Sequence, residues 1–253
     1  MTSSGMPTVV AQAPGHLALP QLEIIALDVD DALRALAGGA NRVEVVSAID
    51  RGGLTPSAAL VQGIARRCGL AQMVMLRPHD RSFVYTDDEM LLIREAVAMA
   101  RDAGAHGLVF GALTSEGAID ASRLERVLRW ADGMPLTFHR AFDAAADLQQ
   151  AFAVLGNYRG AIAQVLTSGG QPTASAGREV LRELVRRWRA GEGVEPLVGS
   201  GVDVLTLADL SEYTGARQFH VGIGARSCGT YGLRVDALRV ARLRNLLDST
   251  ATP

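Results

Sequence analysis

The chain has no lysine: all 25 of its basic residues are arginine, among 253 residues in total. That absence closes the chemistries that need a side-chain amine, including Schiff-base aldolases, pyridoxal-phosphate enzymes and the lysine of a nucleotide phosphate loop. Any anion held here must be held by arginine, backbone amides or helix N-termini. Cysteine is almost as scarce. Cys68 and Cys228 stand alone with no CxxC spacing, which excludes zinc ribbons, dithiol redox motifs and disulfide scaffolds. No apolar run approaches the ~18 residues of a membrane helix. A net charge of −2 gives no basic footprint for nucleic acid or an anionic membrane. No His-x-x-x-His or Glu-x-x-His pair occurs, so the sequence offers no metal-ligand set of the zinc-hydrolase kind. The expectation is a cytoplasmic protein with no membrane or nucleic-acid partner.

What is present is ordinary globular composition, 48% hydrophobic and 21% charged. Residues 1–20 lack Asp, Glu and Arg and are broken by Ser, Thr, Pro, Gln and Gly, which reads as a tail. Residues 248–253 read the same way. Between them, short apolar runs alternate with amphipathic ones. Strands are predicted at Leu22–Leu27, Arg42–Val46, Gln72–Arg77, His106–Gly111, Pro135–His139, Ile162–Leu166, Pro196–Gly199 and Gln218–Val221. A helical pattern follows each, as Asp87–Ala103 and Arg178–Arg189 illustrate. Thr86 with Glu89 and Ser122 with Glu125 have capping-box spacing, and Thr55-Pro56 reads as a cap followed by a first-turn proline. Gly104, Gly133 and Gly215 fall where helices should stop. Eight strand–helix units with no spare segment predict α/β architecture: a single (β/α)₈ barrel of the TIM type over residues 21–247. An open doubly wound sheet would want a glycine-rich first turn, and here that turn is Asp28-Val29-Asp30-Asp31.

Enzymes on such barrels work at the C-terminal strand ends. Glu23 and Glu44 interrupt the first two apolar strands, and buried carboxylates need partners. Arg77 and Arg140, at the ends of strands three and five, are the expected ones. With His139 and Asp143 they form the candidate catalytic set Glu44, Arg77, His139, Arg140 and Asp143. His139 is the natural general acid or base, since an unperturbed imidazole titrates near ~6.5. Asp143, four residues on, is expected to contact His139 or a ligand. Glu23, Thr167, Ser168, Gly199, Gly201 and His220 complete a candidate ligand-binding set, with the glycines allowing close backbone approach to an anion such as phosphate. His79 reads as an exposed loop residue, His106 as structural at the barrel bottom, and both cysteines as free thiols. Arginines beside proton carriers suit a small anionic or sugar-derived molecule undergoing metal-free isomerisation, epimerisation or elimination.

Glu23, GGANRVEVVSAIDRGGLTPS (38–57), MLRP (75–78), FVY (83–85), LTFHRAFD (136–143), VLTSGG (165–170), Gly177 and GSGV (199–202) resemble, in order, the CutC copper-homeostasis family. The resemblance spans about Leu22 to Gly222. It implies a TIM-type barrel, a homodimer or higher homo-oligomer, and copper handling with a copper ion as partner; copper is implied by the resemblance alone. Two departures bear on that. Positions where the family often carries cysteine are Ile25 and Val46 here, and the third-strand loop reads Arg77-Pro78-His79-Asp80-Arg81. Soft thiolates select Cu(I), so a two-cysteine site on the first strands is excluded.

Overall fold

A computed structural model describes residues 20–250. Of the expected tail over 1–20, residues 1–19 lie outside the described residues, as do the last three of the chain; Pro20 is buried, its carbonyl accepting from Arg244 Nη1 at 3.0 Å. Eight strands, β1 (Gln21–Ala26), β2 (Arg42–Val45), β3 (Ala71–Met75), β4 (Gly107–Phe110), β5 (Leu136–Phe138), β6 (Ile162–Thr167), β7 (Glu195–Val198) and β8 (Gln218–Val221), pair in parallel in sequence order. β8 closes on β1, with Glu23 opposite His220. Eight helices alternate with them: α1 (Val29–Ala37), α2 (Ala58–Arg67), α3 (Asp87–Asp102), α4 (Ala121–Ala131), α5 (Leu148–Gly156), α6 (Arg178–Arg189), α7 (Leu207–Thr214) and α8 (Ala237–Ser249). The last helix continues two residues past the expected end at Leu247, so Asp248 and Ser249, read from composition as tail, are helical.

Strand alternation sorts the apolar residues into two layers. Leu22, Ile24, Val43, Val45 and Val74 point outward and pack under the helices in one large cluster. Ile25, Val46, Met73, Met75 and Val109 form a much smaller cluster inside the barrel. At roughly 1.5–3 kcal/mol per fully buried large apolar side chain, the outer layer supplies most of the burial energy. The barrel's interior is therefore free to carry polar groups.

Helix entry is set by local caps. Thr86 and Glu89 form the expected capping box of α3. The other two expected caps are displaced. Asp120 caps α4 by accepting from the Arg123 amide, which leaves Ser122 inside the helix. Ser57 caps α2, while the Thr55 hydroxyl instead accepts from the Arg77 amide and ties two barrel loops together. An aspartate two residues earlier, or a serine two residues later, gave the better geometry for an orphan amide. Gly104, Gly133 and Gly215 all follow helix ends with positive φ.

Candidate functional site

The barrel floor is an ionic network. The Arg42 guanidinium donates to Glu23 at 2.5 Å, to Gln164 at 2.8 Å and to Gln218 at 2.9 Å, and Gln164 donates to Thr137 at 2.9 Å. The expected partners of Glu23 and Glu44 were Arg77 and Arg140, but neither pairs with them. Arg42 lies two residues before Glu44 on the same strand face, closer to the floor where Glu23 sits. That i, i+2 spacing was visible in the sequence and is the signal the strand-end search passed over.

Above the floor, His220 links the two glutamates. Its Nδ1 lies 2.7 Å from Glu23 Oε1, and its Nε2 lies 3.8 Å from Glu44 Oε2. Burial opposes charge on Glu23, but Arg42 and His220 outweigh it and hold the carboxyl at about 2. Glu44 has no such partner. Burial pushes it up to about 7, with His220 pulling it only part of the way back. Burial works against a charged His220 too, but Glu44 and Glu23 together raise it. One ligand atom each from Glu23, Glu44 and His220 lie within 4.8 Å of one another, although the sequence offered no metal-ligand set.

The C-terminal ends of the strands open into a cavity of about 380 Å³. Of the candidate residues, Glu44, Arg77, His139, Arg140, Gly201 and His220 line it. Arg77 is 9% exposed and makes no ion pair among the described residues. Its Nη1 donates to the Gly52 carbonyl at 3.1 Å, while its Nε is buried without a partner. The His139 Nδ1 accepts from the Ala141 amide at 3.1 Å, so the neutral ring carries its proton on Nε2, which has no partner. Burial, and then the Arg77 charge, lower His139 to about 3. The expected general acid or base near neutrality is therefore a neutral N–H donor instead. Gly111 makes room for this ring, since a Cβ there would sit 2.5 Å from His139 Nδ1.

The remaining candidates serve the frame. Asp143 does not touch His139. It accepts from Arg140 at 2.8 Å, from the Thr167 hydroxyl at 2.6 Å, and from the Ser168 and Gly170 amides at 3.0 Å each. A carboxylate in the 3₁₀ turn that follows β5 thus organises the loop after β6. Thr167 and Ser168 are fully buried beneath it and do not face the cavity. Gly199 is packed beside His220 and Leu166, where a Cβ would be 2.6 Å from Leu166 Cδ1. Gly201 has φ +72° and lines the rim. His79 is not an exposed loop residue: it is tucked against Tyr85 with its Nε2 3.0 Å from Glu89. His106 is structural, its Nδ1 accepting from the Gln72 amide.

Two cavity residues escaped the residue-by-residue search because aromatics in loops carry no polar signal. The Phe83 ring lies 4.9 Å from the Arg77 guanidinium carbon and 5.0 Å from the His139 ring, covering both. Tyr231 also lines the cavity, and burial, with Glu44 adding to it, pushes its hydroxyl up to about 12.

Copper(I) would find no thiolates in this cavity. Cys68 is buried at the end of α2, its Sγ 3.5 Å from the Ala32 carbonyl, and Cys228 is exposed in the loop after β8. Ile25 and Val46 are part of the apolar interior. The Glu23–Glu44–His220 group offers hard oxygen and nitrogen donors, one of them already neutralised by Arg42. That donor set does not fit a soft Cu(I) ion.

Comparison with known proteins places the chain among relatives. The family model described as CutC family matches residues 20–225. A copper homeostasis protein cutC homolog from Caenorhabditis elegans is 38% identical over 205 residues, covering 79% of each chain. The human homolog of that name is 32% identical over 244 residues, covering 89% of this chain and 88% of its own. A solved CutC structure from Streptococcus agalactiae superposes with a TM-score of 0.73 at 28% identity, covering 81% of this chain and 98% of that one.

Proposed function

The chain belongs to the CutC family, and from that premise we propose that it serves copper homeostasis, as its relatives are named, by binding a small carboxylate at the barrel mouth and not through a thiolate copper(I) centre. Cytoplasmic location and homo-oligomeric assembly belong to the same reading; among the described residues no helix is long and apolar enough to cross a membrane.

The observation that carries the proposal is Arg77. A guanidinium this buried is costly unless something pairs it. With Nη1 committed to Gly52, the free edge is the Nε–Nη2 fork. That fork matches the two oxygens of a carboxylate in a bidentate grip. His139 Nε2–H and Gly201 on the rim offer further donors from the same cavity. Phe83 covers the arginine and keeps water away, so the interaction acts in a low-dielectric setting.

A thermal-shift screen of small mono- and dicarboxylates tests this. A bound carboxylate at a hundredfold excess over Kd stabilises the wild type by about 2.7 kcal/mol, a melting shift of several degrees for a chain of this size. Arg77→Ala should lose that shift while remaining folded. A Cu(I) titration against a competing chelator runs alongside. Tight one-to-one Cu(I) binding that survives alkylation of Cys68 and Cys228, with no carboxylate shifting the wild type, would overturn the proposal.

A further inference from the structure

We propose that the mouth catalyses proton transfer at the carbon beside a carbonyl, on a 2-oxo carboxylate, with Glu44 carrying the proton, His139 polarising the carbonyl and Arg77 anchoring the carboxylate. This rests on the carboxylate site inferred above and adds to it a reaction and a substrate class.

Three side-chain atoms buried without partners belong to residues that line this one cavity: Glu44 Oε1, Arg77 Nε and His139 Nε2. Buried polar atoms are almost always satisfied, and each orphan is a desolvation cost with no compensating bond. Three in one cavity therefore describe the negative image of a ligand: an anion for the guanidinium edge, an acceptor for the imidazole N–H, and a hydrogen for the carboxylate oxygen. A 2-oxo carboxylate has all three on adjacent atoms. Its carboxylate meets Arg77, its keto oxygen meets His139 Nε2–H, and its C3–H bond faces Glu44.

The chemistry of each group suits its part. Ionised Glu44 takes a proton from C3; the C–H electron pair becomes the C2–C3 double bond, and the carbonyl π pair moves onto the keto oxygen. That enolate oxygen accepts from His139 Nε2–H. Glu44 then returns its proton to C3, or solvent exchanges it first, so the overall step needs no oxidant or reductant. A neutral imidazole is the right donor, because burial and Arg77 keep it from gaining a second proton, and a neutral N–H donor is less tightly solvated and better matched to an enolate. Glu44 sits near the pH at which a carboxyl can both take and release a proton. His220, its Nδ1 held by Glu23, turns Nε2 toward Glu44 and is a positioning residue. An imine route to the same exchange through a side-chain amine is closed, since the chain has no lysine.

Deuterium exchange tests the step directly. Pyruvate, 2-oxobutyrate and 2-oxoglutarate are incubated with the full chain in D2O, and loss of the C3 proton signal is followed by NMR beside the thermal shift of each compound. An oxo acid that stabilises the wild type should exchange at least tenfold faster than in buffer, with the rate rising with pH through about 7 as Glu44 ionises. Glu44→Gln should keep the thermal shift and lose exchange by a hundredfold or more; His139→Gln should also slow exchange while retaining binding. The wild-type pH profile needs no variant to fold. Stabilisation without exchange above buffer overturns the proton transfer and leaves the carboxylate site standing. Exchange undiminished in Glu44→Gln overturns the role of Glu44. If none of the three compounds shifts the wild type while simple carboxylates do, the substrate class is wrong; if no carboxylate does, the site and this inference fall together.

Discussion

Glu23 and Glu44 are both carboxylates in barrel strands, both buried, and both within reach of His220, yet they titrate on opposite sides of the ordinary range. The difference is the Arg42 guanidinium together with the close His220 contact, both of which fall to Glu23. Arg42 reaches Glu23 and leaves one oxygen of Glu44 unpartnered. The consequence for stability has a definite sign. Folded Glu44 holds its proton up to about 7, whereas an unfolded carboxyl releases it near 4.5. Its contribution to stability is therefore fully present below 4.5 and lost as pH rises through 7. His139 acts the other way, since its folded value near 3 lies below the unfolded 6.5, so its contribution is lost as pH falls through that window. Comparing wild type with Glu44→Gln isolates the first effect. The variant should gain about 1–3 kcal/mol on the wild type between pH 5 and pH 8 in urea unfolding. A difference that stays flat across that range would mean Glu44 is ionised in the folded protein throughout.

At the scale of elements, one carboxylate holds two strand-end loops in place. Asp143 follows β5 and collects donors from Thr167 at the end of β6 and from Ser168 and Gly170 just after it, with Arg140 closing the cluster from its own turn. From the sequence, Asp143 is expected to contact either His139 or a ligand. The backbone makes a 3₁₀ turn there, with the Phe142 amide bonded to the His139 carbonyl, which aims Asp143 sideways along the rim. Asp143→Ala removes the acceptor of the Ser168 and Gly170 amides and of the buried Thr167 hydroxyl. It should cost about 2–4 kcal/mol. Amide hydrogen exchange at Ser168 and Gly170 should accelerate well beyond that at the strand amides of β2 and β3. Uniform acceleration along the chain would instead assign Asp143 a general role in stability.

The whole molecule is a ring closed by both backbone and side chains. β1 meets β8 through backbone pairing, and Arg42 spans the floor from β2 to Glu23 on β1, Gln164 on β6 and Gln218 on β8. Arg42→Ala should cost about 3–5 kcal/mol, because it leaves Glu23 buried with its charge uncompensated except by His220. Adding Glu23→Gln should restore part of that loss, since a neutral amide no longer needs the guanidinium. A double variant as unstable as the sum of the two single ones would show that the network has no shared energy.

The barrel is legible in the chain's local patterning. Eight apolar runs, each followed by an amphipathic helix, state the period of every element locally, and no long-range information is needed to read them. The sequence also discloses that the strand ends carry a histidine and arginines, because polar residues in buried strands break a local pattern. Which polar groups meet is set by the closed barrel and not by local pattern. Pairing Arg42 with Glu23 and leaving Arg77 unpaired depends on height along the barrel axis, which follows from the stagger of strands far apart in the chain. The same stagger set His139 under Phe83 and beside Arg77, and burial there, with that neighbouring charge, turned an imidazole expected to titrate near neutrality into a neutral donor. Residue type is local, but burial and charge environment belong to the closed ring.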